Sequence, residues 1–279
     1  MLKLRDGIVE LYKKVATSIP PDVVVALKNA HEAEDGLAKE SLGIILENIN
    51  TARQSERPVC QDTGIPVFHV RMPRGLSQNG MKATIIDATV IATEKVPLRP
   101  NAVDILTDRN SGNNTGAGFP VIYIEEVSED RLRIDLMLKG AGCENAGQTY
   151  KLPIEELNAQ RDLDGVRRCV LDAVFKAQGR ACPPYTIGVG IGGAKDQVSI
   201  LAKHQLFRRI TEISEIPEIA ALESRLLNEI NSLSIGPMGL GGKTTAIGVK
   251  VGTNHRHPAS YFVEISVSCW ANRRGRLIW

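Results

Sequence analysis

The sequence predicts an α/β fold of mixed α+β character: an N-terminal helical segment, then mixed helices and small β-sheets. Three observations carry that expectation. Apolar residues recur at helical spacing through the first 55 positions, and short β-branched runs alternate with helical stretches after them. No internal repeat, low-complexity tract or flexible linker interrupts the chain. We therefore expect one body over residues 1–279, with a helical cap at 1–55 and an α/β body at 56–279.

Leu4, Ile8, Leu11, Tyr12 and Val15 mark a first helix that Pro20-Pro21 ends. Asp22 opens a second, through Val25, Leu27 and Ala30. A third runs from Leu37 to Arg53, with Leu42, Ile45, Leu46 and Ile49 on one side. Residues 67–72 read as a strand. Residues 81–96 are rich in β-branched side chains, but their length favours a helix. Residues 98–118, dense in Asn, Gly, Asp and Thr, predict a long loop of the kind that carries function. Residues 121–127 and 132–138 alternate apolar and polar across Ser128-Glu129-Asp130 and predict a β-hairpin. Residues 153–178 predict a helix, 186–191 a short buried strand, and 194–210 and 218–233 two further helices. Strands at 245–251 and 261–268 close the chain.

Composition removes several functions. A net charge of +2, no long basic block and 4% aromatic residues argue against nucleic acid as a partner. The start of the chain lacks a secretory apolar core and no apolar run approaches a membrane span, so no membrane association and a cytoplasmic location are expected. Five scattered cysteines, an odd set with no CxxC pair, fit a reducing compartment and leave any metal site to be assembled from distant segments.

Cys60-Gln61-Asp62-Thr63-Gly64 concentrates the most chemistry. A soft thiolate precedes an amide, a carboxylate and a turn glycine, groups able to hold a metal and a small polar substrate together. The same run also reads as an ordinary turn whose Asp62 and Thr63 bond local backbone. Cys169 lies among Val170, Leu171 and Val174 in a predicted helix, so it belongs to the core. Gly188–Gly193 satisfies GxGxxG, but no second strand ends in an acidic residue at the distance a dinucleotide site needs. Gly241-Gly242-Lys243-Thr244 resembles the end of a P-loop. Pro237 stands where its first glycine is required, and a predicted strand follows rather than a helix.

Six runs taken in order resemble the class I fumarate hydratases. They are Val59–Gly64, Leu98–Asn101, Lys139–Asn145, Cys182-Pro183-Pro184 with Gly188–Gly193, Gly236–Thr244 and Ser268-Cys269-Trp270. More narrowly, they are similar to the α subunit of the two-subunit form, which is shared with L-tartrate dehydratase. The resemblance implies a 4Fe-4S cluster held by Cys60, Cys182 and Cys269, with one iron left open to act as a Lewis acid. It implies that Gln61, Asp62, Arg99, Gly142 and His257 serve the substrate, with His255 as the competing histidine. Cys143 stands where the family usually has a serine, near the site without being a ligand. The implied reaction is reversible hydration of fumarate to L-malate. Conversion of L-tartrate to oxaloacetate is the alternative, and a non-catalytic iron–sulfur sensor or electron carrier the more remote one. In fused members a second domain supplies further catalytic residues, so we expect a separate β subunit, a small dicarboxylate substrate and an α2β2 or similar oligomer.

Overall fold

A computed structural model describes residues 2–279, in which helices and strands interleave as an α/β protein. Two compact units share the chain. One comprises Met1–Pro20, Glu47–Ala141 and Ala271–Trp279; the other comprises Pro21–Leu46 and Gly142–Trp270.

In the first unit, helix α1 (Leu2–Thr17) turns Leu4, Ile8, Leu11, Tyr12 and Val15 inward, as their spacing predicts. They pack with Phe68, Val70 and Met72 of β1 (Ile65–Pro73) and with Met81, Ile85 and Ala88 of helix α4 (Gln78–Lys95). The Tyr12 ring meets Phe68 edge-on, with centroids 5.6 Å apart. Its hydroxyl shares a 2.8 Å hydrogen bond with Thr89, so the buried oxygen is satisfied.

The sheet of this unit runs β2-β1-β3-β8, with β2 at Val121–Val127, β3 at Arg133–Lys139 and β8 at Arg274–Ile278. Strands β1 and β2 are parallel, and α4 makes the crossover between them. The hairpin expected of residues 121–138 is therefore not formed. β2 and β3 flank β1 on either side, and β3 pairs with it antiparallel. A turn signal reports that the chain reverses, not that its two arms become neighbours. The central place goes to β1, whose Val67, Phe68, Val70 and Met72 are all buried.

The second unit carries a sheet in the order β4-β7-β5-β6: β4 (Gln148–Lys151), β7 (Phe262–Ser268), β5 (Tyr185–Ile191) and β6 (Ala246–Thr253). All seven residues of β5 are buried, which is why it reads as a continuous apolar run. Helices α6 (Leu163–Ala177) and α8 (Pro217–Ser232) share one core with this sheet, and α7 (Lys195–Gln205) packs against its strands β5, β6 and β7. The helix expected from residue 153 begins only at Leu163, where Asp162 caps it by accepting the Gly165 N–H at 2.7 Å. Ahead of that cap, Ile154 and Ala159 form an isolated bridge.

Both misleading motifs have structural explanations. A Cβ on Gly188 would stand 2.2 Å from the Ala202 carbonyl oxygen, and one on Gly190 2.5 Å from that of Val198. The glycines of β5 thus let the backbone of α7 lie directly on the strand. The loop before β6 binds an anion that the protein supplies itself. The carboxylate of Glu34, 1% exposed, accepts the N–H groups of Lys243 at 2.7 Å and Thr244 at 2.5 Å. No helix among the described residues is long and apolar enough to cross a membrane.

Candidate active site

Cys60 lies in a turn held from both flanks. Val59 donates its N–H to Ala16 at 3.0 Å and accepts from Asn48 at 2.9 Å, fixing the approach to the cysteine. Asp62 then uses both carboxylate oxygens on main-chain donors, Gly64 N–H at 2.9 Å and Ala141 N–H at 2.8 Å. The first bond is an Asx turn; the second ties this turn to the start of the short helix α5 (Ala141–Asn145). Gly64 is required where it stands: its φ is +84°, and a Cβ would lie 2.9 to 3.0 Å from Leu138 and Lys139 backbone. From the other side Arg273, 2% exposed, donates Nη1–H to the Asp62 carbonyl at 2.7 Å, while its own carbonyl accepts from Leu138.

The loop of residues 98–118 docks on the same turn. The Thr63 hydroxyl donates to the Arg99 carbonyl, and Asn101 Nδ2 donates to the Gly64 carbonyl at 3.1 Å. Asn114, 2% exposed with φ of 58°, accepts the Asn101 N–H and donates to the Arg99 carbonyl. These bonds leave the Arg99 side chain exposed beside Cys60 and Gln61, and all three line a cavity of about 560 Å³. Cys60, Gln61, Asp62 and Arg99 are thus brought together by one turn and one loop.

In the second unit Cys182 and Cys269 come together at one end of the sheet. Cys182 precedes β5 and Cys269 follows β7, and these strands pair antiparallel. The Trp270 N–H bonds the Cys182 carbonyl at 3.1 Å, and the Cys182 N–H bonds Gly179. Cys182 is held at a φ of 55°, a costly conformation for a residue with a Cβ and one that clusters at functional sites. Buried Cys143 sits with them: its sulfur accepts the Cys269 N–H at 3.2 Å. The Tyr185 hydroxyl is pushed above its ordinary pKa chiefly by burial, and the nearby sulfurs of Cys143, Cys182 and Cys269 add to the effect. Gly142 lines a separate cavity of about 710 Å³ with Asn145, Gln148, Gln178 and Arg180.

His257 is placed differently. It lies in the exposed loop before β7, where its Nδ1 accepts the Ala259 N–H at 3.1 Å, leaving the proton of the neutral ring on Nε2. The carbonyl of neighbouring His255 accepts from Gly193. Cys269 is at the other end of β7, a strand of seven residues and hence roughly 23 Å long. The sheet therefore separates this histidine from the cysteine pair.

Arg273 and Asn114 escaped the sequence reading. Each acts through backbone contacts that only the fold creates, and the Arg273-Arg274 pair looks like polar surface in the sequence. None of the five cysteines forms a disulfide. Cys60, Cys182 and Cys269 are partly exposed, whereas Cys143 and Cys169 are buried, and burial pushes the Cys169 thiol up to about 12.

The α/β scaffold thus presents partly exposed thiols at a turn and at strand ends, and an exposed guanidinium beside the turn that carries Cys60. The chain belongs to the fumarate hydratase (Fumerase) family, which it matches over residues 5–277. It is 45% identical over 279 residues to a putative class I fumarate hydratase of Geobacillus stearothermophilus, covering 98% of this chain and 54% of that protein. It thus spans about half the length of that relative. It is 39% identical to a putative L(+)-tartrate dehydratase subunit alpha of Methanocaldococcus jannaschii, over 98% of this chain and 96% of the relative. With the L(+)-tartrate dehydratase subunit alpha of Escherichia coli K12 it shares 33% identity, over 99% of this chain and 90% of that one. These are names of hydro-lyases.

Among the described residues, no three His, Cys, Asp or Glu side chains converge on a single metal-ion position. Cys60, Cys182 and Cys269 are thiols, the donor type an iron–sulfur cluster takes. Cysteines of an iron–sulfur cluster each bind a different iron, so they need not converge on one point. Cys60, Cys182 and Cys269 are each partly exposed, so each thiol is open to such a group.

Proposed function

We propose that the chain is the α subunit of a two-subunit hydro-lyase that reversibly hydrates fumarate to L-malate, with a 4Fe-4S cluster on Cys60, Cys182 and Cys269. When bound, the cluster supplies an iron without a cysteine ligand, a Lewis acid that stabilises hydroxide as a leaving group. The observation that carries this reading is similarity along 90% to 96% of relatives named as α subunits, together with the fumarate hydratase match at 45% identity.

The roles of the side chains follow from what each leaves available. Arg99, exposed beside Cys60, meets a substrate carboxylate with its planar fork of donors. Exposed Gln61 offers an amide donor and acceptor to the same substrate. Asp62 keeps accepting lone pairs beyond its two backbone bonds and directs them to the substrate hydroxyl, its turn already fixed. Gly142 gives the substrate access to main chain that a larger residue would cover. His257 contacts substrate through Nε2. Because β7 holds it away from Cys269 of its own chain, that contact is made to a site completed by a second copy, in keeping with an α2β2 or similar oligomer. A separate β subunit supplies the remaining catalytic groups. A reducing cytoplasm suits five cysteines outside disulfides.

The L-tartrate reading keeps a specific support, since the relatives at 39% and 33% identity carry that name. One experiment separates the two. The chain is purified anaerobically with its partner subunit, and the reduced protein is studied by electron paramagnetic resonance with malate, L-tartrate or buffer. A cluster signal that shifts with malate supports fumarate hydration, and one that shifts only with L-tartrate supports the alternative. Absence of a cluster from the intact complex overturns both.

A further inference from the structure

We infer that Cys143 is a positioning residue whose side chain staples the segments bearing Cys182 and Cys269, setting the separation of those two thiols. The inference rests on the ligand reading above. The Cys143 sulfur accepts the N–H of Cys269 at 3.2 Å and donates its S–H toward the carbonyl of Ala181, the residue before Cys182, at 3.9 Å. The two segments lie 126 and 38 positions away from it in the chain.

The ladder explains why a staple is needed. The pairing of β5 with β7 runs to Thr186 opposite Ser268, so the Cys269 N–H falls just past the end of the ladder. The sulfur of Cys143, itself 4% exposed, takes that donor where the ladder no longer does. A second cross-link, Trp270 N–H to the Cys182 carbonyl, holds the same segments one residue further on. The contact with Ala181 uses the S–H as donor, whereas the Cys269 N–H needs only a lone pair of the sulfur. A thiolate has no proton for Ala181, and a sulfur bound to iron would have none either. In this role Cys143 stands beside the proposed ligands and holds their segments. A serine at this position offers the same donor and acceptor on a smaller atom, with hydrogen bonds near 2.9 Å, so it keeps the staple but draws the segments closer. An alanine removes it.

The test compares Cys143→Ala, Cys143→Ser and the remote control Cys169→Ser in the complex with the partner subunit. One arm strips metal and follows alkylation of Cys182 and Cys269 peptide by peptide with iodoacetamide. Losing one hydrogen bond should speed alkylation of Cys269 about fivefold in the alanine variant. The serine variant should stay near wild type, as should the control. The other arm reconstitutes the cluster and records its paramagnetic spectrum and midpoint potential. Both should shift in the serine variant while iron per chain holds. Wild-type alkylation rates in Cys143→Ala overturn the staple, as does an unchanged spectrum in Cys143→Ser. Loss of iron from Cys143→Ser equal to that from Cys182→Ser would make Cys143 a ligand and also overturn it. Failure of the wild-type complex to take up a cluster would defeat the ligand reading, and the alkylation arm would still decide the staple.

Discussion

The carboxylate of Asp62 bonds its own turn through Gly64 and reaches Ala141, 79 positions away in the chain, at 2.8 Å. One side chain thus shapes the Cys60 turn and anchors it to the start of α5. Asp62→Ala removes both bonds and should lower unfolding stability by about 2 kcal/mol, since hydrogen bonds to a charged group contribute more than neutral ones. Asp62→Asn retains one oxygen and should lose about half as much. Urea unfolding with equal m-values checks this, and equal stability of wild type and Asp62→Ala would show that the anchor contributes nothing.

The β5 glycines make a sharper prediction. A Cβ at Gly188 would meet a backbone oxygen of α7 at 2.2 Å, an atom that cannot yield without moving the helix. Gly188→Ala should therefore cost about 3 kcal/mol or more, or prevent folding. Gly241, at φ of +82° with open space around it, should cost only about 1 kcal/mol as alanine. Thermal unfolding of the two variants ranks them. Similar losses would mean that close packing of α7 is not what the glycine serves.

These residues also show how far the sequence was legible. Helix α1, the helices at Pro21–Ala33 and Gly36–Ser55, and strands β1, β5, β6 and β7 follow from apolar pattern, because each buries one face or a whole strand locally; α4 follows from its length. β8, with the sequence Arg274-Gly275-Arg276-Leu277-Ile278, has no such pattern and becomes a strand only by pairing with β3. The pairing partner of β2 was illegible for the same reason: strand order is decided by long-range burial, not by the turn between neighbours. Within the candidate site, Cys60, Gln61 and Asp62 are adjacent in sequence and Arg99 was reached through the family motif. The Cys143–Cys269 contact and the brace of Arg273 depend on atoms brought together from more than 100 positions away.

His69 gives the protein a pH-sensitive strand. It sits part-buried on β1, opposite Asp135 of β3 and Tyr123 of β2. Burial lowers its pKa below the usual 6.5, against the opposing pull of Asp135 and Glu125. The unfolded chain then takes up a proton near pH 6.5 that the folded chain refuses. The stability contribution is complete above that value and is lost as pH falls toward the folded pKa. Replacing His69 with Gln should flatten the acid-side slope of stability by at most one proton, about 1.4 kcal/mol per pH unit. Urea midpoints measured from pH 7.5 down to about 5.5 would read it. Identical profiles for wild type and His69→Gln would exclude His69 as the source.

The proposed ligand set separates two cysteines by their surroundings. Cys182 is partly exposed at a strained turn, whereas Cys169 is wholly buried in α6 with a thiol that burial keeps protonated. Cys182→Ser should abolish the cluster, and Cys169→Ser should leave iron and sulfide per chain unchanged. Anaerobic iron assay of both variants decides; equal contents would reject the assignment.

His257 and Cys269 at opposite ends of β7 lead to the last prediction, which concerns assembly. If the histidine serves a site on another copy, His257→Ala and Cys269→Ser damage different sites in a mixed oligomer. Each variant alone, combined with the partner subunit, should be nearly inactive, the first with its cluster intact. Refolded or co-expressed mixtures should regain a fraction of wild-type turnover, because some sites then draw a sound histidine from one copy and a sound cysteine set from the other. His255→Ala should matter less, since its backbone carbonyl, not its ring, makes the contact with Gly193. Mixtures with no more activity than the sum of the separate variants, in oligomers shown by mass to contain both chains, would place both residues on one copy's site. The histidine would then have to reach Cys269 past the length of β7, which this sheet does not allow, and the substrate role would pass to another residue.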